Sequence, residues 1–305
     1  MAAHALAERC VLVTGAAGFI GANLCIALKA AGARVFATSR RPPPADEGSH
    51  WRQLDLADPA AVASALQDIR PDLVFHLAAH VTGARELAHV LPALHANCVN
   101  AVHVMAAAAA LPGVRVVLAN SLEEPTAEEA DAPPVSPYAA AKLASTAYAR
   151  MFHALYDLHV VPARIGMVYG PRQRDMIKLA PYAIRCLIEG DTPRYSSGVR
   201  LCDWIYVEDV VEALIAAALS DRAAGQIVDV ATGKMTSVGD VVREIHDLLG
   251  APAPRFGEVG DRPLERSYRP DVERTYALTG WRARTDIREG LRRTVDWYRA
   301  ELAKP

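Results

Sequence analysis

The sequence lacks the features that mark nucleic-acid binders and disulfide-rich proteins. Among its 305 residues, 33 Lys+Arg stand against 35 Asp+Glu, so the net charge is −2. Such a chain has no basic excess to neutralise a run of phosphates, and we expect no nucleic acid among its partners. The five cysteines are odd in number and form no CxxC pair. They therefore predict neither a disulfide framework nor a zinc site, and they fit a reducing, cytoplasmic location.

Several enzyme motifs and a membrane signal are also missing. The chain has no GxSxG and no GxxxxGK[ST] segment, which argues against the common hydrolases and P-loop enzymes. His76 and His80 follow a predicted strand instead of sharing one helix face, so no metal is expected. The most apolar stretch, 101–114, is short and interrupted, and the first ten residues lack the pattern of an export signal. We therefore expect no membrane span.

Lysine is scarce. Only five of the 33 basic residues are lysine, so this chain nearly always uses arginine for positive charge. One of the five is Lys142, at a position where a compact ammonium has a specific chemical use.

Short β-branched runs alternate with Ala/Leu-rich helical stretches in the first half of the chain. The predicted strands lie at 10–14, 34–38, 72–77, 114–119 and 159–165, and the predicted helices at 20–31, 59–69, 92–111 and 138–156. This alternation predicts an α/β fold of right-handed βαβ units with a doubly wound, Rossmann-type parallel sheet. The runs at 11–13 and 73–75 are continuously apolar, as buried parallel strands are.

A glycine-rich loop follows the first predicted strand and opens the first predicted helix. It reads Thr14-Gly15-Ala16-Ala17-Gly18-Phe19-Ile20-Gly21, the context that a dinucleotide fingerprint requires. Gly15 permits the tight turn, Gly18 lets the backbone approach a pyrophosphate, and Gly21 lets helix and strand pack closely. Phe19 and Ile20 are further candidate cofactor contacts. The alternative is a plain strand-to-helix turn without a ligand.

The end of the second predicted strand bears on the choice of cofactor. NAD enzymes usually carry an acidic residue there for the ribose 2′-hydroxyl, whereas this chain has Ser39-Arg40-Arg41. A guanidinium suits a 2′-phosphate, so Ser39 and Arg40 favour NADP over NAD. The alternative is that these arginines are ordinary surface charges. Asp55 is a candidate acceptor for the adenine amine.

The segment Ser136-Pro137-Tyr138-Ala139-Ala140-Ala141-Lys142 places a phenol and an ammonium one helical turn apart. A phenol with a reference pKa near 10 is a poor base at neutral pH, but a neighbouring ammonium and a cationic nicotinamide favour its phenolate. Tyr138 could then take or return the proton of a substrate hydroxyl as hydride moves at the adjacent carbon. A YxxxK pair alone is common, and its significance comes from the glycine loop about 120 residues earlier.

Seven motifs in one order make the chain resemble an extended short-chain dehydrogenase/reductase of the nucleotide-sugar epimerase/dehydratase type. They are TGAAGFIG, DLAD at 55–58, HLAA at 76–79, SPYAAAK at 136–142, VYGPR at 168–172, DWIYVEDVVEAL at 203–214 and TGWRA at 279–283. The resemblance covers nearly the whole length. It implies an NAD(P) cofactor, a nucleotide-diphosphate sugar as substrate, and a homodimer.

The resemblance also implies roles for individual residues. Leu56, Leu77, Ala78 and Ala79, together with Tyr138 and Lys142, would contact the cofactor. Ser121 would take the place of the family's Ser/Thr that hydrogen-bonds the reacting hydroxyl. Asn97 or Asn100 would be the asparagine of the fourth-helix region.

The second half of the chain looks interleaved with the first. Helices are predicted at 176–189, 207–219, 238–249 and 287–302, and a strand at 227–230. The helix at 207–219 and the following strand are as regular as the first half. We therefore predict a dinucleotide-binding domain of residues 1–168 plus about 203–232, and a smaller α/β substrate domain of about 169–202 plus 233–305.

One departure from the family pattern bears on the reaction. Where relatives read Ser/Thr-x-x-Val-Tyr-Gly, this chain reads Asn120-Ser121-Leu122-Glu123-Glu124-Pro125. A carboxylate at Glu123 resembles the 4,6-dehydratases, in which a glutamate removes the C5 proton, but Leu122 replaces the aspartic acid of the glucose dehydratases. Glu123 is therefore a candidate catalytic residue. The alternative is that Glu123 and Glu124 are solvated loop charges.

A second departure concerns the substrate. The arginine of the family's Arg-Asp pair is Cys202 here, although Arg200 lies two residues earlier and could serve, and the asparagine before Val-Tyr-Gly is Met167. Arg262-Pro263 with Arg266 resembles the family's diphosphate-contacting segment. The candidate substrate contacts are thus Arg200, Arg262 and Met167.

Three functions remain open at this point. The leading hypothesis is an enzyme that converts a nucleotide-linked hexose through a transient 4-keto-sugar, by epimerisation or dehydration, with Tyr138 as acid and base. The alternative is an NADPH-dependent keto-sugar reductase. The second alternative is a non-catalytic dinucleotide sensor, because a fold does not guarantee turnover.

Overall fold

The computed structural model describes residues 5–40, 50–125, 132–262 and 267–303. Its strands are β1 (Cys10–Thr14), β2 (Arg34–Ser39), β3 (His50–Gln53), β4 (Leu73–His76), β5 (Arg115–Ser121), β6 (His159–Ile165), β7 (Met167–Tyr169), β8 (Leu201–Tyr206), β9 (Val228–Val230) and β10 (Met235–Ser237). Its α-helices are α1 (Phe19–Ala30), α2 (Pro59–Ile69), α3 (Val90–Leu94), α4 (Asn100–Ala109), α5 (Pro137–Tyr156), α6 (Leu179–Glu189), α7 (Val207–Leu219), α8 (Val238–Leu249), α9 (Val272–Thr279) and α10 (Ile287–Leu302).

Seven strands form one parallel sheet in the order β3-β2-β1-β4-β5-β6-β9. This is the doubly wound order, which reverses direction between β1 and β4, and it confirms the predicted Rossmann-type fold. In such sheets a ligand binds at the reversal, outside the carboxyl ends of the strands. The site is therefore expected beyond Thr14 of β1 and His76 of β4.

Both faces of this sheet are covered, which explains the continuously apolar strands. Val11 and Val13 of β1 pack into the core on one face, with α1 and α7, whereas Leu12 packs into the core on the other face, with α2 and α4. Alternate side chains of a strand point to opposite faces, so a strand buried on both sides needs apolar residues throughout.

A smaller sheet of β10-β8-β7 stands apart from the large one, with β8 parallel to β7 and antiparallel to β10. Its core includes Tyr169, Trp204 and Ile184 and is covered by α6, α8 and α10. Between β8 and β10 the chain returns to the large sheet through α7 and β9. This is the interleaving that the sequence predicts. The stated division into two domains stays a prediction.

A long apolar helix runs from Leu87 to Ala109 and includes α3, a π-helical turn (His95–Val99) and α4. By length and composition alone it could cross a membrane, the one such helix in the described ranges. In this fold, however, Val104, Met105 and Ala108 are fully buried in the core beside the large sheet. The second half of this helix is therefore a core helix, whereas Leu87, Leu91 and Leu94 in its first half are exposed.

Candidate active site

The glycine loop connects β1 to α1 at the reversal of the sheet. Gly15 has φ of +69°, and a Cβ there would lie 2.6 Å from the backbone nitrogen of Ala78. A Cβ on Gly21 would overlap the Gly15 carbonyl oxygen. Two of the three glycines are thus required by backbone packing, as the sequence predicts.

Gly18 is different, because a single contact restricts it. It is the N-cap of α1 with ordinary backbone angles, and a Cβ there would meet only the Gly15 carbonyl, at 3.1 Å. No side chain caps the helix, and its first turn holds no acidic residue. The first N–H groups of α1, at Phe19 and Ile20, are therefore available to an anion such as a pyrophosphate.

The segment after β4 lies beside this loop. The backbone N–H of Leu77 donates to the Thr14 carbonyl at 3.2 Å, and that of Ala78 donates to Thr14 Oγ1 at 3.3 Å. Ala79 follows and is exposed. The structure therefore brings Leu77, Ala78 and Ala79 next to the glycine loop.

The residues proposed to select the cofactor lie at the end of β2. Arg40 is exposed, and its carbonyl accepts a hydrogen bond from Gln53 Nε2 at 3.0 Å. Ser39 is half-buried, and Arg41 lies outside the described residues. Asp55 is exposed while Leu56 beside it is buried.

Tyr138 and Lys142 share one face of α5, which begins at the N-cap Ser136 and carries Pro137 at its first turn. Lys142 is buried, its Nζ lies 5.9 Å from the centroid of the Tyr138 ring, and it donates a 2.6 Å hydrogen bond to the Ala119 carbonyl. Ser121, at the end of β5, hydrogen-bonds the Tyr138 phenol through its side chain. The predicted set of Ser121, Tyr138 and Lys142 is therefore assembled in space.

The charges in this site depend on burial. Burial and the Glu123 carboxylate raise the pKa of Tyr138, while the Ser121 hydrogen bond lowers it. Burial lowers the pKa of Lys142 to about 8, and the Glu124 carboxylate acts in the opposite direction. The phenol is therefore protonated without cofactor, and a cationic nicotinamide would favour its phenolate.

A polar pocket opens in front of this set. It is lined by Gly83, Arg85, Glu123, Val135, Ser136, Arg200, Arg262 and Tyr268. Arg200 Nη2 lies 3.8 Å from Glu123 Oε1, and the Arg262 guanidinium packs against Gly83. Arg85 Nε donates to the Val135 carbonyl at 2.8 Å.

The pocket contains two of the three residues predicted to bind substrate. Arg200 precedes β8 instead of lying in it, and Arg262 is the last described residue before a gap that contains Arg266. Met167 does not line the pocket but packs against the core of the smaller sheet. Arg85 was missed by the sequence analysis, because an isolated arginine near the start of a helix carries no signal.

Glu124 corrects one of the sequence interpretations. Its side chain is buried, with 2% exposure, so it is not a solvated loop charge. Its Oε1 accepts from the Ser121 N–H at 3.0 Å, and its Oε2 accepts from Thr146 Oγ1 at 2.6 Å. Glu123 differs, since its side chain is 31% exposed and reaches the pocket.

The two candidate asparagines have different surroundings. Asn97 is buried in the π-helical turn and exchanges hydrogen bonds with the backbone of His80, at 3.0 and 3.1 Å. Asn100 lies beside the carbonyls of Leu56 and His95. Asn97 is therefore the one that ties the helix to the segment after β4.

His76, at the end of β4, is buried beneath the site. Burial and the Lys142 charge lower the pKa of His76 to about 3, so the ring is neutral. In the described part of the chain, no group of three or more His, Cys, Asp or Glu side chains could hold a metal ion.

Comparison with known proteins agrees with this geometry. The sequence profile described as the NAD dependent epimerase/dehydratase family matches residues 11–231. The chain is 33% identical to a UDP-glucose 4-epimerase from Mycolicibacterium smegmatis, over 94% of this chain and 98% of that protein. It is 29% identical to a dTDP-glucose 4,6-dehydratase from an Actinoplanes species, over 95% of this chain and 98% of that protein.

A solved structure is also similar to this chain. MoeE5, determined with UDP-glucose and NAD, superposes with a TM-score of 0.82 at 35% identity, over 96% of this chain and 99% of that one. The reductase and sensor hypotheses are not favoured by these comparisons, and the neighbours support a nicotinamide dinucleotide without a preference for NADP. The chain belongs to the NAD dependent epimerase/dehydratase family.

Proposed function

We propose that this enzyme inverts C4 of a nucleotide-diphosphate hexose through a transient 4-keto-sugar. The observation that carries the proposal is the assembly of Ser121, Tyr138 and Lys142 between the glycine loop and the pocket that holds Arg200 and Arg262. A dinucleotide on one side and an anionic substrate on the other would place a substrate hydroxyl at the Tyr138 oxygen.

The site residues perform the proton transfer. The Tyr138 oxygen accepts the proton of the C4 hydroxyl and later returns it, while Ser121 hydrogen-bonds that hydroxyl and fixes its direction. The Lys142 ammonium, held by the Ala119 carbonyl, stabilises the phenolate. A bound nicotinamide supplies reversible hydride transfer at C4.

Two observations favour epimerisation over 4,6-dehydration. Leu122 stands where a glucose dehydratase would carry an acid, and it packs with Tyr268 in a small apolar cluster. Glu123, the candidate base for C5, lies 3.8 Å from the Arg200 guanidinium. This ion pair would have to open before the carboxylate could reach C5 of a substrate.

The arginines of the pocket indicate the substrate class. Guanidinium groups bind diphosphate oxygens well because they offer several donors in a planar fork. MoeE5 has been solved with UDP-glucose and with UDP-glucuronic acid. We therefore propose a UDP-hexose with its diphosphate near Arg200 and Arg262.

The decisive experiment incubates the purified protein with a panel of UDP-, GDP-, CDP- and dTDP-sugars, once with NAD and once with NADP, and identifies products by NMR. Conversion of a UDP-hexose to its C4 epimer without added reductant supports the proposal. A 4-keto-6-deoxy product would establish the dehydratase instead, for which the pocket position of Glu123 is the supporting observation. Absence of any product across the panel would refute both.

The preference for NADP is a separate part of the proposal, supported by Arg40 at the end of β2. Equilibrium binding of both dinucleotides to the parent and to Arg40→Gln tests it. Weaker NADP binding with unchanged NAD binding in the variant supports a 2′-phosphate contact. Equal affinities of the parent for both cofactors would count against it.

The proposal also covers the cellular location and the oligomeric state of the protein. None of the five cysteines, all of which lie in the described ranges, forms a disulfide, which supports a cytoplasmic location. The neighbouring helices α3 and α5 expose apolar side chains, which supports a homodimer through this face; these are Leu91, Leu94, Leu143 and Tyr148. Light scattering of the parent and of Leu91→Glu would test the dimer, and equal masses for both would argue against this interface.

A further inference from the structure

A stripe of polar residues runs along α5 behind the catalytic pair. Tyr138, Lys142 and Thr146 are spaced by four residues and therefore lie above one another on one face of the helix. Successive members are about 6 Å apart along the axis, at 1.5 Å per residue. The end of β5 lies against this stripe, because the Lys142 ammonium donates to the Ala119 carbonyl and Asn120 Nδ2 donates to Thr146 Oγ1.

Glu124, in the loop after β5, contacts the last member of this stripe, Thr146. Its carboxylate accepts hydrogen bonds from Thr146 Oγ1 and from the Ser121 N–H. It thus lies about one turn of α5 beyond Lys142 and directly behind the turn that presents Ser121.

The hydrogen bonds indicate that Glu124 is ionised. Thr146 Oγ1 accepts a hydrogen bond from Asn120 Nδ2, so its own hydroxyl proton is available for the hydrogen bond to Glu124. The other carboxylate oxygen faces a backbone N–H, which is also a donor. Burial raises the pKa of Glu124, and the Ser121 and Thr146 hydrogen bonds and the neighbouring positive charges oppose this rise by favouring the charged form.

We propose that Glu124 is the buried counter-ion of Lys142 and that it holds the ammonium charged while fixing the Ser121 turn. Lys142 makes a hydrogen bond to a neutral carbonyl, and a buried ammonium needs a negative charge nearby to remain protonated. Glu124 is then a positioning residue, because it acts through Lys142 and Ser121. The catalytic consequence rests on the proposed function, whereas the charge pairing does not.

Other charged and titratable groups lie around this pair. They are Tyr138 on the same helix, Cys98 in the π-helical turn, His76 on β4, Arg164 on β6, and Glu123 on the same loop. Arg164 is already engaged by Asp229 in a bidentate pair at 2.7 and 2.9 Å. Glu123 faces Arg200 in the pocket. Arg164 lowers the pKa of Glu124 more than Lys142 does, but its charge is already paired with Asp229, so Lys142 is the cation of this group that has no other carboxylate partner among the groups named.

The scarcity of lysine makes this proposal directly measurable. Only five lysines are present, so protein labelled with ¹³C-lysine gives five side-chain Cε signals, and the Lys142 signal is the one lost in Lys142→Met. Its titration in the parent should be centred at the pKa of about 8 that burial and Glu124 together give. In Glu124→Gln it should move to lower pH by about one unit, the size expected of one charge at this separation.

Glu123→Gln is the matched control, because it removes the neighbouring carboxylate from a side chain that faces Arg200. Its Lys142 signal should titrate as in the parent. A Glu124→Gln signal that titrates as in the parent, or an equal shift in both variants, would overturn the proposal. If Glu124→Gln does not fold, the Lys142 titration of the parent protein tests the proposal. Burial without a counter-ion would give Lys142 a pKa of about 6 or lower, and such a value in the parent would overturn the proposal.

Turnover provides the second arm of the experiment. Loss of the Glu124 charge lowers the pKa values of both Lys142 and Tyr138. Both limbs of the pH profile of kcat should therefore move to lower pH in Glu124→Gln, which a purely structural role would not cause. Failure of the panel to show turnover would refute the proposed function and leave the lysine titration as the test of the counter-ion.

Discussion

Arg200 and Glu123 face each other across 3.8 Å at the polar pocket. The pair joins the segment before β8 to the loop after β5, and thus the smaller sheet to the catalytic end of the larger one. Glu123 also lies close enough to Tyr138 for its charge to raise the pKa of the phenol. The carboxylate can therefore affect both the proton transfer and the arginine that would bind the substrate.

The first prediction concerns the role of this carboxylate. In an epimerase, Glu123→Gln should leave kcat within about tenfold, since no proton is removed by Glu123, and should change KM because Arg200 is released. In a dehydratase the same variant should lose about 100-fold or more of kcat, because a general base is lost. Steady-state kinetics with the substrate identified from the panel distinguishes the two.

The second prediction concerns Tyr138. Tyr138→Phe should lower kcat by about 10²–10⁴-fold, because the acid and base for the substrate hydroxyl is removed while the ring remains. Dinucleotide affinity, measured by calorimetry, should stay close to that of the parent. Tyr156→Phe, on an exposed tyrosine at the end of the same helix, is the control and should leave kcat unchanged. Equal activity of Tyr138→Phe and the parent would refute the mechanism.

Much of the fold could be predicted because regular periodicity is a local property. Helices α2, α7, α8 and α10 begin and end at the predicted residues. The three-residue strands β7 and β10 were missed, since so short a run has no periodicity to detect. β3 was missed for a related reason, because its residues His50–Gln53 are polar and partly exposed at the sheet edge.

The site residues that lie in short sequence motifs could be predicted from the sequence. The glycine loop and the Tyr138–Lys142 pair were identified because their spacing is local. Glu124 could not be identified, because its burial depends on Thr146, which lies 22 residues away on the facing helix. A glutamate in an acidic stretch looks solvated until a tertiary contact supplies its donors.

The third prediction concerns pH. The pKa of Lys142 is about 8, so its ammonium is present below that pH and is lost as the pH rises through it. Activity should therefore fall on the alkaline side with an apparent pKa near 8. Since the folded pKa lies below the unfolded value of about 10.4, the unfolded state binds more protons between these values. The free energy of unfolding contributed by Lys142 should therefore rise over the same interval.

Activity should therefore fall over the pH range in which the free energy of unfolding rises, so loss of catalysis can be distinguished from unfolding. Denaturant titrations at several pH values should show a smaller rise in the free energy of unfolding with pH for Lys142→Met than for the parent. Lys234→Met, on an exposed lysine, should behave as the parent does. A parent that loses activity and unfolds together above pH 8 would contradict the assignment of the alkaline limb to Lys142.

The fourth prediction distinguishes two roles of the glycine loop, which are backbone packing and dinucleotide binding. Gly15→Ala places a Cβ 2.6 Å from the Ala78 backbone nitrogen and at a positive φ, so it should lower the free energy of unfolding by about 1–3 kcal/mol or more. Gly18→Ala has ordinary backbone angles and one neighbour at 3.1 Å, so it should lower the free energy of unfolding less than Gly15→Ala does. Its Cβ, however, stands where a pyrophosphate would approach α1, and it should weaken dinucleotide binding by about tenfold or more. Denaturant unfolding and calorimetry on both variants measure these effects, and a Gly18→Ala protein with parental dinucleotide affinity would show that the phosphates do not bind at this helix terminus.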